Sequence, residues 1–245
     1  MLIEKRLTEI WASDYINTLP ALVKDRGFCY SANTAQKEIL ITGINPSFRK
    51  NETEGNKGFD GCQMFFIETY DNYVAPMQKM LSDGNIDLRQ QAAYLDLFYF
   101  REEDQKIWRE KILPTQGGIP FAVDQLNLTQ HIIEDIVKPK LIVVKNKESW
   151  AYWGKLIEEG LIWMGYQFEF VQKMVCGELW KITGLLNSNE RIAPEFTKTN
   201  LQGSYVLFTQ HINQYTKVEE RPTPIVLKTI LDWYDAEKNA RNLAI

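Results

Sequence analysis

The apolar positions of this chain follow two rhythms, short continuous runs and longer stretches with helical spacing. Leu7, Ile10, Trp11, Tyr15 and Ile16 carry the helical period, which predicts a helix over Leu7–Val23 broken near Pro20. Glu38–Gly43 predicts a first strand, and polar Asn51–Gly61, with its three glycines, a surface loop. Tyr70–Leu81 predicts a helix that Pro76 restarts or kinks and that stops near Gly84. Ala92–Phe100 is apolar almost throughout except for Asp96 and predicts a second strand. Phe121–Val137 predicts a long helix ending before Pro139, and Leu141–Val144 a short buried strand. Alternation across Phe168–Leu186, around Gly177-Glu178, predicts a hairpin; Ser204–Thr209 predicts a further strand. A closing amphipathic helix, Pro224–Lys238, is expected to bury Leu227, Ile230, Leu231 and Tyr234 or their neighbours. Strands separated by helical stretches predict an α/β fold with a mainly parallel sheet and crossover helices.

The 245 residues suit one domain over 1–245, with an N-terminal helical segment at 1–36 and the C-terminal helix within 222–245. Hydrophobic content of 44% and charged content of 24% exclude a disordered chain. Net charge is −4, with a pI near 5.4, which argues against a protein that coats nucleic acid but leaves room for a local basic groove. Cys29, Cys62 and Cys176 form no CxxC pair, so no metal site is expected and buried free thiols are the simpler reading. The first ten residues lack a signal-peptide core and no apolar run reaches membrane-spanning length, so a cytoplasmic protein without a membrane partner is expected; the sequence does not set the oligomeric state, and a monomer is the default expectation.

Three expected strand ends carry polar residues in apolar surroundings: Asn45, Asp96 and His211. Carboxyl ends of adjacent parallel strands lie side by side, so the three are candidates for one cleft. The segment Gly43-Ile44-Asn45-Pro46-Ser47 sets one polar side chain on a rigid turn, because Pro46 drives Asn45 toward extended geometry. Gly43 permits a turn or the close approach of a ligand. Each of the three has a plainer alternative: a strand-end turn for Asn45, an ion pair or a helix N-cap contact for Asp96, a satisfied loop histidine for His211. His131 lies on a helix face and reads as structural, and Val171–Trp180 as packing.

Gly43–Ser47 after a strand resembles the first signature of the uracil-DNA glycosylase superfamily, in its asparagine-type branch. His211 stands where that superfamily has a histidine after the last sheet strand, although Ile212-Asn213 replaces the usual Pro-Ser, and Pro139–Val144 is similar to the family's third strand. The resemblance spans about Lys37–Gln214, with 145–204 enlarged. It implies a three-layer α/β/α fold around a mainly parallel four-stranded central sheet, with the hairpin as an insertion, and no cofactor. It further implies a monofunctional DNA glycosylase, a base-excision repair hydrolase whose DNA partner presents a damaged or mismatched base flipped from the duplex. Asn45 would then position the attacking water and His211 would donate to the departing base. Gly43, Ile44, Ser47 and Asp96 would line the base site, and Phe59, Phe65 or Phe66 would stack on the base, Phe59 being favoured because it follows the glycine-rich loop. Arg49 and Lys50, with Lys57 in the same loop, are placed to meet phosphates. Asp96 departs from the family's usual amide: an ionised carboxylate only accepts hydrogen bonds, which suits a base edge rich in donors better than uracil's mixed edge. The alternative is a catalytically weak or inactive glycosylase-fold module that binds nucleic acid or a nucleotide.

Overall fold

A computed structural model describes residues 3–67, 73–156 and 160–243. The first helical stretch is not continuous. Helix α1 (Ile3–Trp11) ends before an extended Ser13, a 3₁₀ turn follows at Asp14–Thr18, and α2 (Ala21–Arg26) restarts behind Pro20. Strand β1 (Cys29–Ser31) precedes β2 (Ile39–Gly43), and β3 (Lys57–Phe59) lies inside the stretch expected to be loop. Helix α3 (Val74–Leu81) carries Pro76 in its first turn, where no amide hydrogen bond is lost, so it does not kink. The expected start of that helix, Tyr70–Asn72, lies outside the described residues.

Strand β4 (Ala92–Asp96) is shorter than expected. Beyond Asp96 the backbone bonds instead to the turn after β2: Phe98 N–H donates to the Ile44 carbonyl and Glu102 N–H to that of Pro46. Helix α4 (Gln105–Ile107) widens into a π turn through Ile112. Helix α5 (Gly118–His131) runs on as π-type turns to Val137, where left-handed Lys138 stops it ahead of Pro139. Then come β5 (Leu141–Val144), α6 (Trp150–Trp153), β6 (Tyr166–Met174), β7 (Gly177–Leu185), β8 (Tyr205–Thr209) and α7 (Pro224–Leu243).

The main sheet has six strands in the order β4-β2-β5-β8-β7-β6. The first four are mutually parallel, and β7 and β6 continue the sheet antiparallel. The hairpin is therefore not an insertion beside a four-stranded sheet: β7 pairs with β8 from Gly177↔Thr209 to Lys181↔Tyr205 and enlarges the sheet to six. A second, two-stranded parallel sheet joins β1 to β3.

The parallel strands are buried on both faces, as continuous apolar runs require. Leu40, Leu95, Ile142 and Val206 pack with α1, α5 and α6, whereas Ile41, Tyr94, Val143 and Leu207 pack with α3 and α7. Helix α7 buries Leu227, Ile230 and Leu231, with Tyr234 half-covered. Among the described residues no helix is long and apolar enough to cross a membrane, and no cluster of His, Cys, Asp or Glu could hold a metal.

A candidate functional cleft at the strand ends

Strand order reverses at β2: the chain goes from β2 outward to β4, then returns to the other side at β5. Such a switch point leaves a crevice outside the carboxyl ends of the strands. A cleft of about 480 Å³ opens there, lined by Asn45, Ser47, Arg49, Phe59, Asp96 and His211 among others. Residues from four separate segments thus meet in one place, three of them at the strand ends singled out by the sequence.

Asn45 is held rigidly. Its Nδ2 donates to the carbonyls of Glu102 (2.7 Å) and Pro46 (3.0 Å), and more distantly to that of Phe100, while Oδ1 accepts from Gln105 Nε2 at 2.6 Å. The backbone carbonyls fix which end of the amide is which, so its oxygen is the end left to share.

Asp96 is 6% exposed. Its Oδ1 accepts from the Tyr94 hydroxyl at 2.6 Å, and Tyr73 hydrogen-bonds to the same Tyr94 oxygen. Burial pushes the Asp96 carboxyl up to about 6, against the opposing pull of the Tyr94 hydrogen bond and the Lys145 ammonium. Lys145, the residue after β5, is buried with its Nζ 3.4 Å from the centre of the Tyr73 ring.

Gly43 serves this cluster rather than a turn. A Cβ there would fall inside contact distance of Asp96 Oδ1 and the Tyr94 hydroxyl, so the missing side chain makes room for the protein's own groups and not for a ligand. Ile44 is 9% exposed and joins the core. Phe59, pinned by β3, is half-buried at the cleft; Phe65 is fully buried among α3 and sheet residues, and Phe66 packs against the same cluster. Of the three candidate stacking rings, Phe59 alone lines the cleft.

Arg49 and Lys57 line the cleft, with Lys57 paired to Glu52 at 3.1 Å, whereas Lys50 is exposed and lies outside the lining. His211 sits at the rim with solvent access. Crowding there and the Lys145 charge lower its pKa, with Glu148 opposing. His131 pairs with Asp135 at 2.8 Å and stacks on Phe196, in keeping with a structural role. Cys29 and Cys176 are buried free thiols, but Cys62 is only half-buried. Trp180 packs edge-on against Phe170, while Val175 is exposed, so 171–180 is packing only in part.

Arg101 lines the cleft, and Arg26 stands beside it on the same Phe48 ring. Arg101, 2% exposed, donates to the carbonyls of Thr53, Gly55 and Arg26 and to Glu52 Oε2 at 2.6 Å. Arg26 pairs with Glu102 at 2.7 Å, and both guanidinium carbons stand 4.7 Å from the centre of the Phe48 ring. The segment leaving Pro46 is thereby clamped. Sequence reasoning missed Lys145, Tyr94, Tyr73 and Arg101. Lys145 was within reach, since it follows an apolar strand as Asp96 and His211 do.

No protein-family model matches this chain, and no curated protein matches it.

Proposed function

We propose that the protein hydrolyses the N-glycosidic bond of a damaged or mismatched base flipped from DNA. The observation that carries this reading is the meeting of Asn45, Phe59, Asp96 and His211 in one cleft of suitable size at the sheet's switch point. The resemblance of Gly43–Ser47 to the asparagine-type uracil-DNA glycosylase motif supports it. In this reading the base lies against Phe59 with its edge toward Asp96. Asn45 orients water through Oδ1, its nitrogen being tied to the backbone. His211 donates to the departing base as charge develops on it, a contribution of a few kcal/mol in comparable sites. Arg49, with Lys50 beside it, meets the flanking phosphates.

Two observations favour a second reading, a module that binds nucleic acid or a nucleotide without cleaving it. Asn45 Oδ1 already accepts a 2.6 Å bond from Gln105, and Glu52 and Glu103 put negative charge at the cleft. Oligonucleotides carrying uracil, hypoxanthine, xanthine or mismatched thymine separate the two. Base release by the wild type and not by Asn45→Ala supports the hydrolase; binding without release supports the module; neither binding nor release refutes both.

A further inference from the structure

The free edge of Asp96 carries a more specific statement about what the cleft accepts. Asp96 is more than nine-tenths buried, lines the cleft, and has only Oδ1 engaged, by Tyr94. Among the described residues nothing donates to Oδ2. An ionised carboxylate offers about four acceptor sites and no donor, so three remain for a ligand. A buried acceptor without its hydrogen bond is costly, and a carbonyl placed opposite a carboxylate is repelled.

These facts discriminate among heterocycle edges. Uracil and thymine present one N–H between two carbonyls, so any pairing with Asp96 brings an oxygen against an oxygen. Hypoxanthine presents one N–H beside one carbonyl and a C–H. A 2-amino-6-oxopurine presents a ring N–H and an amino N–H side by side, two parallel donors that match the two oxygens of a carboxylate. The amide that would suit uracil is not available here: Asn45 has its nitrogen committed to backbone carbonyls.

Resting on the reading that the cleft holds a base, we propose that Asp96 selects a 2-amino-6-oxopurine edge, paired to its two carboxylate oxygens, over the edges of uracil and thymine. Oxidation or alkylation on the imidazole side of the purine leaves that edge intact, so a damaged guanine retains it. Tyr94 is the positioning residue: its hydroxyl fixes the carboxylate plane, and the missing side chain at Gly43 lets both groups sit over β2.

The test uses single-stranded oligothymidylates with one central guanine, 8-oxoguanine, hypoxanthine or uracil, so that no duplex has to open. Fluorescence anisotropy at pH 8, where the Asp96 carboxyl is ionised, gives the dissociation constants. Guanine-type bases should bind about tenfold or more tighter than uracil, with hypoxanthine between, the scale of one good bidentate contact. In Asp96→Asn the order should narrow or invert through weaker guanine binding. Wild-type uracil binding as tight as guanine binding overturns the inference and leaves the base cleft standing. Equal binding of all strands, including the one containing only thymine, also overturns it. Failure of every strand to bind overturns the base-site reading as well. The wild-type ranking decides the matter even if Asp96→Asn does not fold.

Discussion

Tyr94 and Asp96 stand two residues apart on β4, on the same face of the strand, and the phenol donates to the carboxylate across 2.6 Å. The pair makes a carboxylate tolerable in a place that burial would otherwise reserve for a neutral group. Tyr94→Phe removes the one hydrogen bond that favours the charged form. The Asp96 carboxyl should then titrate above its present value of about 6, readable as an upfield-to-downfield step in its ¹³Cγ resonance. An unchanged midpoint would mean that the bond does not act on the charge.

Asp96 also sets a pH dependence of stability. Its folded pKa lies near 6, above the ordinary 3.8, so between those values the native state holds more protons than the unfolded chain. The favourable contribution is complete below about pH 4 and is lost as pH rises through 6. Asp96→Asn has no such slope. Its stability relative to wild type should therefore climb by about 2–3 kcal/mol between pH 4 and pH 7 and then level off. Urea unfolding across that range measures it, and a flat difference would contradict the assignment.

Gly43→Ala should be damaging although its backbone is ordinary extended strand. The new methyl would meet Asp96 and Tyr94 directly, and overpacking of this kind costs about 1–3 kcal/mol. The loss should appear in chemical denaturation together with a disturbed Tyr94 environment. A neutral Gly43→Ala would show that the two side chains move aside without penalty.

Arg101→Ala should loosen the segment from Arg49 to Lys57. The guanidinium is nearly fully buried and its removal orphans the carbonyls of Thr53 and Gly55, a loss of about 3 kcal/mol or more. Trypsin should cut after Arg49 and Lys50 far faster than in wild type. Arg101→Lys should fall between, since an ammonium cannot reproduce the planar fork.

The legible parts of this molecule are those that local pattern controls. The strands β2, β5 and β8 and the hairpin lie close to where apolar runs and alternation put them, and Asn45 and His211 follow from strand ends, whereas Asp96, inside the expected strand 92–100, stands at an end because β4 stops there. What escaped depends on pairing between distant segments. Strands β1 and β3 have three residues each and exist because they pair with one another, and that pairing is what sets Phe59 at the cleft while Phe65 turns into the core. The hairpin joins the main sheet only because β7 finds β8. Tyr94 read as one more apolar strand residue, because only its face, shared with Asp96, reveals a working hydroxyl.

The place of β8 in the sheet has a kinetic consequence. It is the last strand in the chain yet lies between β5 and β7, each of which precedes it. Until β8 arrives, both of those strands present an open edge, β7 being paired only with β6 and β5 only with β2. The cleft matures only when Tyr205 and its successors zip alongside Leu141–Val144, since that step also delivers His211. During synthesis, then, Asn45 and Asp96 emerge before the residues that complete the cleft, and the facing edges of β5 and β7 lack their partner until residues 205–211 follow.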